Sequence, residues 1–201
     1  KVGKVIVVDN GSSVETRKGI RGLEQNASGW ISVITLTENL GSAGGYRAGI
    51  GRASACSECT YIWLLDDDNV PAEDALLTLE EDYRKLCRAT PPERLAILCM
   101  REAQGFRDFA RTPGSFERLM PGSSSFLFFR VQDLPGGLIR LMLKKLKVLY
   151  PAGSSSRLLT VPYGPYGGLF FHQSAISTFG LPDERFFVYF DDTAFTLGFT
   201  L

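Results

Sequence analysis

Histidine is almost absent from this sequence, and cysteine is sparse. The one histidine is His172, and Cys56 and Cys59 form a single CxxC motif among four cysteines. Because a structural zinc site needs four Cys or His ligands at set spacings, we expect no zinc here. Cys87 and Cys99 lie in apolar patterns and are predicted to be core thiols, so no disulfide framework is indicated.

An excess of either charge is also absent, since 22 Lys and Arg residues balance 22 Asp and Glu residues. A chain with no net charge has no global field for nucleic acid, so we expect no nucleic-acid partner. No apolar run is long enough to span a bilayer, and we expect no signal peptide. A sizeable core is predicted, because 44% of the 201 residues are hydrophobic. The absence of a disulfide framework favours a reducing, cytoplasmic environment.

The most informative stretch is an apolar run, Tyr61–Leu65, that ends at three adjacent carboxylates, Asp66, Asp67 and Asp68. Adjacent negative charges repel one another, and a divalent cation such as Mg²⁺ or Mn²⁺ is the simplest compensation. Alternation along a strand would send Asp66 and Asp68 to one side and Asp67 to the other. The alternative is a solvated acidic loop or the N-terminal cap of a helix.

Apolar runs alternate with helical patterns along the first half of the chain. The strands are predicted at residues 4–8, 31–36, 61–65 and 95–100, and the helices after a capping box at Ser12 and Glu15, at 45–55 and around 76–86. The first helix is expected to turn Val14, Ile20 and Leu23 inward. This order predicts an α/β fold with a mostly parallel sheet flanked by helices.

The second half of the chain differs. Residues 123–129 predict a strand of a smaller antiparallel part. Residues 138–150 are apolar and basic, which is typical of a helix on a membrane surface and equally of a surface helix packed on the sheet. A peripheral contact at the inner face of the membrane is therefore one of two open alternatives. No linker divides the chain, so we predict a single domain over residues 1–201.

Three polar clusters follow strands: residues 9–11, 39–45 and 66–68. Ligands of open α/β sheets bind at the carboxyl ends of the strands, so these clusters predict one binding edge. A dinucleotide-dependent dehydrogenase is disfavoured, because no GxGxxG motif follows a strand.

These clusters, with two later segments, resemble the family 2 glycosyltransferases of the GT-A (Rossmann-like) fold. The bacterial rhamnosyl- and galactofuranosyl-transferases are the nearest branch. The matching segments are residues 7–12, 39–45, 64–68, 167–171 and 190–192. The resemblance implies an inverting, metal-dependent enzyme that moves a sugar from a UDP- or dTDP-sugar to a glycan or lipid-linked acceptor.

The resemblance also implies a role for each site residue. Asp9 would accept a hydrogen bond from the base, Asn39 would hold the nucleotide, and Asp67 would face the donor sugar or ribose. Asp66 and Asp68 would bind Mn²⁺ or Mg²⁺ at the diphosphate. Asp191 and Asp192 match the acidic pair of inverting members, with Asp192 as the base and Asp191 positioning the acceptor. A helix is expected to begin at this pair, with its amides favouring ionised carboxylates.

The chain departs from the family pattern at both ends. A first strand and helix would precede residue 4, and further sequence would follow the acidic pair, so we expect a fragment of a longer catalytic domain. Two other functions stay open: a sugar-phosphate nucleotidyltransferase and a non-catalytic nucleotide-sugar-binding module. His172 does not match the downstream histidine of the family and is predicted to be structural.

Overall fold

The computed structural model describes residues 2–99, 158–187 and 190–200. The chain divides into two compact units, and all elements below belong to the first, residues 1–99 and 163–201. The predicted strand at 123–129 and the basic stretch at 138–150 lie outside the described residues. The prediction of one catalytic domain over residues 1–201 stays a prediction.

Two strands near the start of the chain form a parallel pair, β1 (Val5–Asn10) and β2 (Ile31–Leu36), in the register Val5 to Ile31 and Asn10 to Leu36. Their β-branched, apolar sequences suit a half-buried or buried parallel pair. Both polar ends of these strands therefore lie at the same edge, as the sequence predicted.

Helix α1 (Val14–Asn26) connects the two strands, and its orientation differs from the prediction. Val14 and Leu23 are exposed, whereas Arg17 contacts Asp9 and Glu24 accepts a hydrogen bond from the Val33 amide at 2.8 Å. These two polar contacts lie on one helix face and turn it towards β1 and β2. The cap is Ser13, whose Oγ accepts from the Thr16 amide, and not the predicted Ser12.

The remaining strands form a separate antiparallel sheet in the order β3, β5, β4. β3 is Tyr61–Trp63, β4 is Ala96–Leu98 and β5 is Leu169–His172. The α/β prediction is confirmed in this coarser form, although two strands of the antiparallel sheet, β3 and β4, come from the half of the chain that was predicted to be parallel. A single mostly parallel sheet is not seen among the described residues, because β3 pairs with β5 and not with the parallel pair.

The four remaining helices are α2 (Gly41–Ser54), α3 (Ala75–Leu86), α4 (Ala175–Phe179) and α5 (Asp191–Leu197). α3 confirms the predicted periodic segment, whereas α2 begins four residues before its predicted start at residue 45. None of the helices in the described ranges combines the length and apolar character that a membrane span requires.

Alternate residues of β5 enter two hydrophobic clusters. Phe171, with no exposed surface, packs in a cluster that includes Ile50 of α2 and Phe195 of α5. Phe170 packs with Leu79 and Tyr83 of α3. Strand alternation thus fixes α2 and α5 on one side of the antiparallel sheet and α3 on the other. The candidate site lies on the α2 side.

Candidate functional site

The site is organised around the first two turns of α2, which two asparagines attach to the ends of β1 and β2. Asn10 Nδ2 donates to Asn39 Oδ1 at 3.2 Å and to the Gly41 carbonyl at 2.8 Å, and Asn10 Oδ1 accepts from the Leu40 amide. Asn39 Oδ1 also accepts from the Gly41 amide at 2.8 Å. Asn39, one of the predicted site residues, is exposed. Its side-chain oxygen helps to begin α2.

The backbone before α5 passes directly against the start of α2. Gly41 has a φ of +73°, and a Cβ at this position would meet the Phe187 carbonyl oxygen at 1.8 Å. The next amide, that of Ser42, donates to the same carbonyl at 3.1 Å. One turn further along, Arg47 Nη1 donates to the Pro182 carbonyl at 2.9 Å. Only glycine fits at position 41, because any side chain would displace this segment.

The acidic pair at the start of α5 reaches α2 through Asp191. Its side chain is buried, with 5% of the residue exposed, and its Oδ2 accepts from Ser42 Oγ at 2.5 Å. Its backbone carbonyl accepts from the Tyr166 hydroxyl at 3.2 Å. Asp191 is thus fixed at both its side chain and its backbone, and the predicted helix start at this pair is confirmed.

Asp192 is less buried and less constrained. Its Oδ1 accepts from the Thr193 amide at 2.6 Å, and its backbone carbonyl accepts from Thr196 Oγ1 at 2.7 Å. Burial raises the pKa of the Asp192 carboxyl, and the neighbouring Asp191 charge adds to the rise, although the Thr193 amide opposes it. The Thr193 amide favours the ionised carboxylate as expected, but desolvation has the larger effect at this position.

The acidic triplet reaches α2 through Asp66. Tyr46, one turn after Ser42 on α2, donates its hydroxyl to Asp66 Oδ1 in a short hydrogen bond. The Tyr46 ring lies 4.2 Å from the Tyr166 ring between centroids, with the planes 30° apart. Tyr166 is the residue that donates to the Asp191 carbonyl. Two adjacent aromatic rings therefore connect the two acidic segments.

The triplet itself forms a turn after β3 rather than a continuation of the strand. β3 ends at Trp63, and Asn69 closes the turn by accepting from the Asp66 amide through Oδ1 at 3.0 Å. Asn69 Nδ2 in turn donates to Asp68 Oδ1 at 3.0 Å. Strand alternation therefore does not place these side chains, which corrects the geometric part of the prediction. Asp67 and Asp68 are exposed, and Asp66 is half-buried.

The chemistry of this turn suits a hard cation. Its carboxylate oxygens are ligands that Mg²⁺ and Mn²⁺ prefer. No group of three or more ligating side chains occurs within the described ranges. Magnesium sites often use one or two carboxylates together with substrate phosphates and water. Asp66 and Asp68 are the residues that could hold such an ion.

Asp9 lies at the end of β1 but faces α1. Its side chain has no exposed surface, its Oδ1 accepts from the Ser12 amide at 2.8 Å, and its Oδ2 pairs with Arg17 Nε at 2.8 Å. Burial alone would raise the pKa of Asp9, but the hydrogen bonds from Ser12 and Arg17 outweigh it and lower the pKa. Asp9 thus anchors the turn between β1 and α1, and its predicted contact with a base stays a prediction.

Hydrogen bonds from α2 reach two of the predicted segments, at Asp66 and Asp191. Asp67, Asp68 and Asp192 adjoin those residues in sequence, Asn39 lies directly before α2, and Asp9 lies apart in its own ion pair. The contacts that organise the site come from residues without a predicted role: Asn10, Ser42, Tyr46 and Tyr166. One signal was present in the sequence, because Ser42 and Tyr46 are spaced i and i+4 and share a helix face.

Comparisons with known proteins agree with the resemblance. The model of glycosyl transferase family 2 matches residues 3–90, which contain β1 to α3. The galactofuranosyltransferase GlfT1 of Mycolicibacterium smegmatis is 31% identical over 107 residues, which cover 48% of this chain and 34% of that protein.

The chain thus spans about a third of the length of the curated relative that it matches. The family match covers β1 to β3, the α2 start and the acidic triplet of the candidate site, and it ends before β4, β5 and the acidic pair. On this match and this relative, residues 3–90 of the chain are similar to the family 2 glycosyltransferases.

Proposed function

We propose that this chain is the donor-binding part of an inverting, metal-dependent glycosyltransferase. It would move a sugar from a UDP- or dTDP-sugar to a glycan or lipid-linked acceptor. The observation that carries the proposal is the attachment of two acidic segments to one helix face, Asp191 through Ser42 and Asp66 through Tyr46. An enzyme of this kind needs one acidic group at the leaving diphosphate and another at the acceptor.

The donor would lie at the edge formed by the ends of β1 and β2 and the start of α2. Here the Gly-rich start of the helix lets a ligand approach the backbone closely. Asn39 is exposed at this edge. We also propose that β1, β2 and α2 belong to a GT-A fold, because the family model matches this region.

Asp66 and Asp68 would hold the divalent ion, and Asp67 would face the donor sugar or ribose. When bound, the ion would neutralise charge on the leaving nucleoside diphosphate. Tyr46 would orient Asp66 through its hydroxyl, and Asn69 would keep Asp68 in the same turn. The side chains of the chain itself thus prepare a rigid, acidic turn for the diphosphate.

Asp192 would take the proton from the acceptor hydroxyl. It is the better candidate of the pair, because Asp191 already accepts from Ser42 and is almost fully buried. A raised pKa makes the ionised Asp192 carboxylate a stronger base, provided that it is ionised at the working pH. Asp191 would then position Asp192 and the acceptor through the fixed start of α5.

The test is a nucleotide-sugar panel with the full-length protein, assayed for binding by thermal shift and for transfer, with and without Mn²⁺. Metal-dependent stabilisation by UDP- or dTDP-sugars, followed by release of the nucleoside diphosphate on addition of acceptor, is expected. Formation of a nucleotide sugar from a sugar phosphate and a nucleoside triphosphate would indicate the nucleotidyltransferase. Binding without any turnover, across acceptors, would indicate the non-catalytic module.

A further inference from the structure

The CxxC motif lies in the loop between α2 and β3 and plays no part in the proposed site. The Cys56 amide donates to the Ala53 carbonyl at 3.1 Å, and the Cys59 amide donates to the Cys56 carbonyl at 3.1 Å. The four residues of the motif therefore form a tight turn directly after the helix. Both thiols are free and half-buried, so small molecules can reach them.

The two thiols are not equivalent. The neighbouring Cys59 thiol, followed by the Glu58 amide, lowers the pKa of Cys56, whereas burial and then Cys56 itself raise the pKa of Cys59. A more acidic thiol beside a less acidic one in a Cys-X-X-Cys turn is the usual arrangement of a reactive dithiol.

We propose that Cys56 and Cys59 are a redox-active dithiol that closes to an intramolecular disulfide on reaction with a small-molecule disulfide. The Cys56 thiolate attacks one sulfur of the reagent and forms a mixed disulfide, and the first reagent thiolate leaves. The Cys59 sulfur then attacks the Cys56 sulfur and releases the second reagent thiolate, while the Cys59 proton passes to solvent. The protein loses two hydrogens, and the reagent is reduced to two thiols.

A metal-binding role for the pair is not supported. A zinc site would need further Cys or His ligands, and no cluster of three or more such side chains occurs in the described parts of the chain. The dithiol follows the C-terminal end of α2, whereas Ser42 and Tyr46 lie in its first two turns. At about 1.5 Å per residue, a helix of this length keeps the two ends about 20 Å apart. Oxidation would therefore leave the acidic site untouched.

The test is incubation of the native protein with oxidised glutathione, followed by intact mass measurement and peptide mapping. We expect the loss of two hydrogens in the peptide that contains Cys56 and Cys59, with no glutathione retained. Cys59→Ser should retain one glutathione on Cys56, because the resolving thiol is gone. Cys56→Ser should react at least about tenfold more slowly, since Cys59 is the less acidic thiol. Cys87→Ser, which removes a thiol whose pKa burial raises, is the matched control and should behave as wild type.

Two results would overturn the proposal, and neither depends on how well a variant folds. One is a stable glutathione adduct on Cys56 in the wild-type protein, which would show that Cys59 cannot resolve it. The other is modification of Cys87 or Cys99 in the native wild-type protein at the rate of Cys56. The site of reaction is read directly from the peptide map, and transfer activity is not needed, so the outcome is independent of the proposed function.

Discussion

Ser42 Oγ donates to Asp191 Oδ2 at 2.5 Å, across 149 positions of sequence. Because Asp191 is buried, its carboxylate depends on this donor to offset the loss of water. The contact joins the start of α2, at the proposed sugar-donor edge, to the acidic pair at the start of α5. Its removal should affect both stability and transfer.

We expect Ser42→Ala to lower the free energy of unfolding by about 1–3 kcal/mol, the cost of leaving a buried acceptor without its donor. Denaturant unfolding of the two proteins measures this difference. Ser42→Thr keeps the hydroxyl and is the control, which should lose less. Equal stability of the alanine variant and wild type would show that water replaces the donor at Asp191.

Tyr46→Phe tests the second contact of α2. The change removes the hydroxyl that donates to Asp66 but keeps the ring beside Tyr166, so the hydrophobic packing should be retained. We expect metal-dependent nucleotide affinity to fall by about tenfold, the scale of one hydrogen bond to a charged group. Calorimetric titration of UDP with Mn²⁺ measures it.

The control for this variant is Tyr61→Phe, which removes a hydroxyl from a different aromatic cluster, beside Tyr83 and Phe170. Its affinity should match that of wild type. If Tyr46→Phe also binds as wild type does, the Tyr46 hydroxyl is not needed to orient Asp66, and the role proposed for Tyr46 is contradicted.

Asp192→Asn tests the proposed base. Donor binding should persist, while transfer should fall by roughly two orders of magnitude or more, the usual scale for loss of a general base. Glu73→Gln, an exposed carboxylate in the loop after β3, is the matched control and should retain full activity. If Asp191→Asn abolishes turnover while Asp192→Asn keeps it, the two roles are reversed.

The same variant has a stability effect with a defined pH dependence. Because burial raises the pKa of Asp192 in the folded protein, ionisation of this group destabilises the fold. The cost is fully present above the folded pKa and disappears as the pH falls below the unfolded pKa, about 3.9. Asp192→Asn should therefore melt above wild type at neutral pH, and the two curves should converge in acid. A difference that grows as pH falls would contradict the sign.

Asp9 should show the opposite dependence, because its folded pKa is lowered. Its ion pair with Arg17 stabilises the protein above the unfolded pKa of about 3.9, and the contribution is lost as pH falls through the lower folded value. Arg17→Met should cost about 2 kcal/mol near neutral pH and less in acid, by denaturant unfolding. Lys18→Met, which removes a neighbouring exposed cation, is the control and should change little.

Periodicity in the sequence was sufficient to predict β1, β2 and α3, since their apolar positions follow the strand and helix repeats. It failed for the orientation of α1, where Arg17 and Glu24 face the sheet because each has a partner there. It also failed for the start of α2. Glycines at positions 41, 44 and 45 disfavour a helix locally, and only the contacts with Asn39 and Phe187 begin it there.

The candidate site was predicted in its acidic residues and not in the residues that position them. A carboxylate beside an apolar strand carries a chemical signal in the sequence itself. The spacing of Ser42 and Tyr46 indicates a shared helix face and no chemistry, because the groups that they contact lie 149 and 20 positions away. Long-range contacts of this kind depend on how the elements pack, which local patterns do not encode.

The separation between Ser42 and Asp191 also bears on how the protein is made. Synthesis proceeds from the N-terminus, so the parallel pair and the start of α2 leave the ribosome long before α5 does. Until then Ser42 has no carboxylate to bind, and the Phe187 carbonyl that approaches Gly41 has not been made. The nascent chain therefore carries the proposed sugar-donor edge well before it carries the residue proposed as the base.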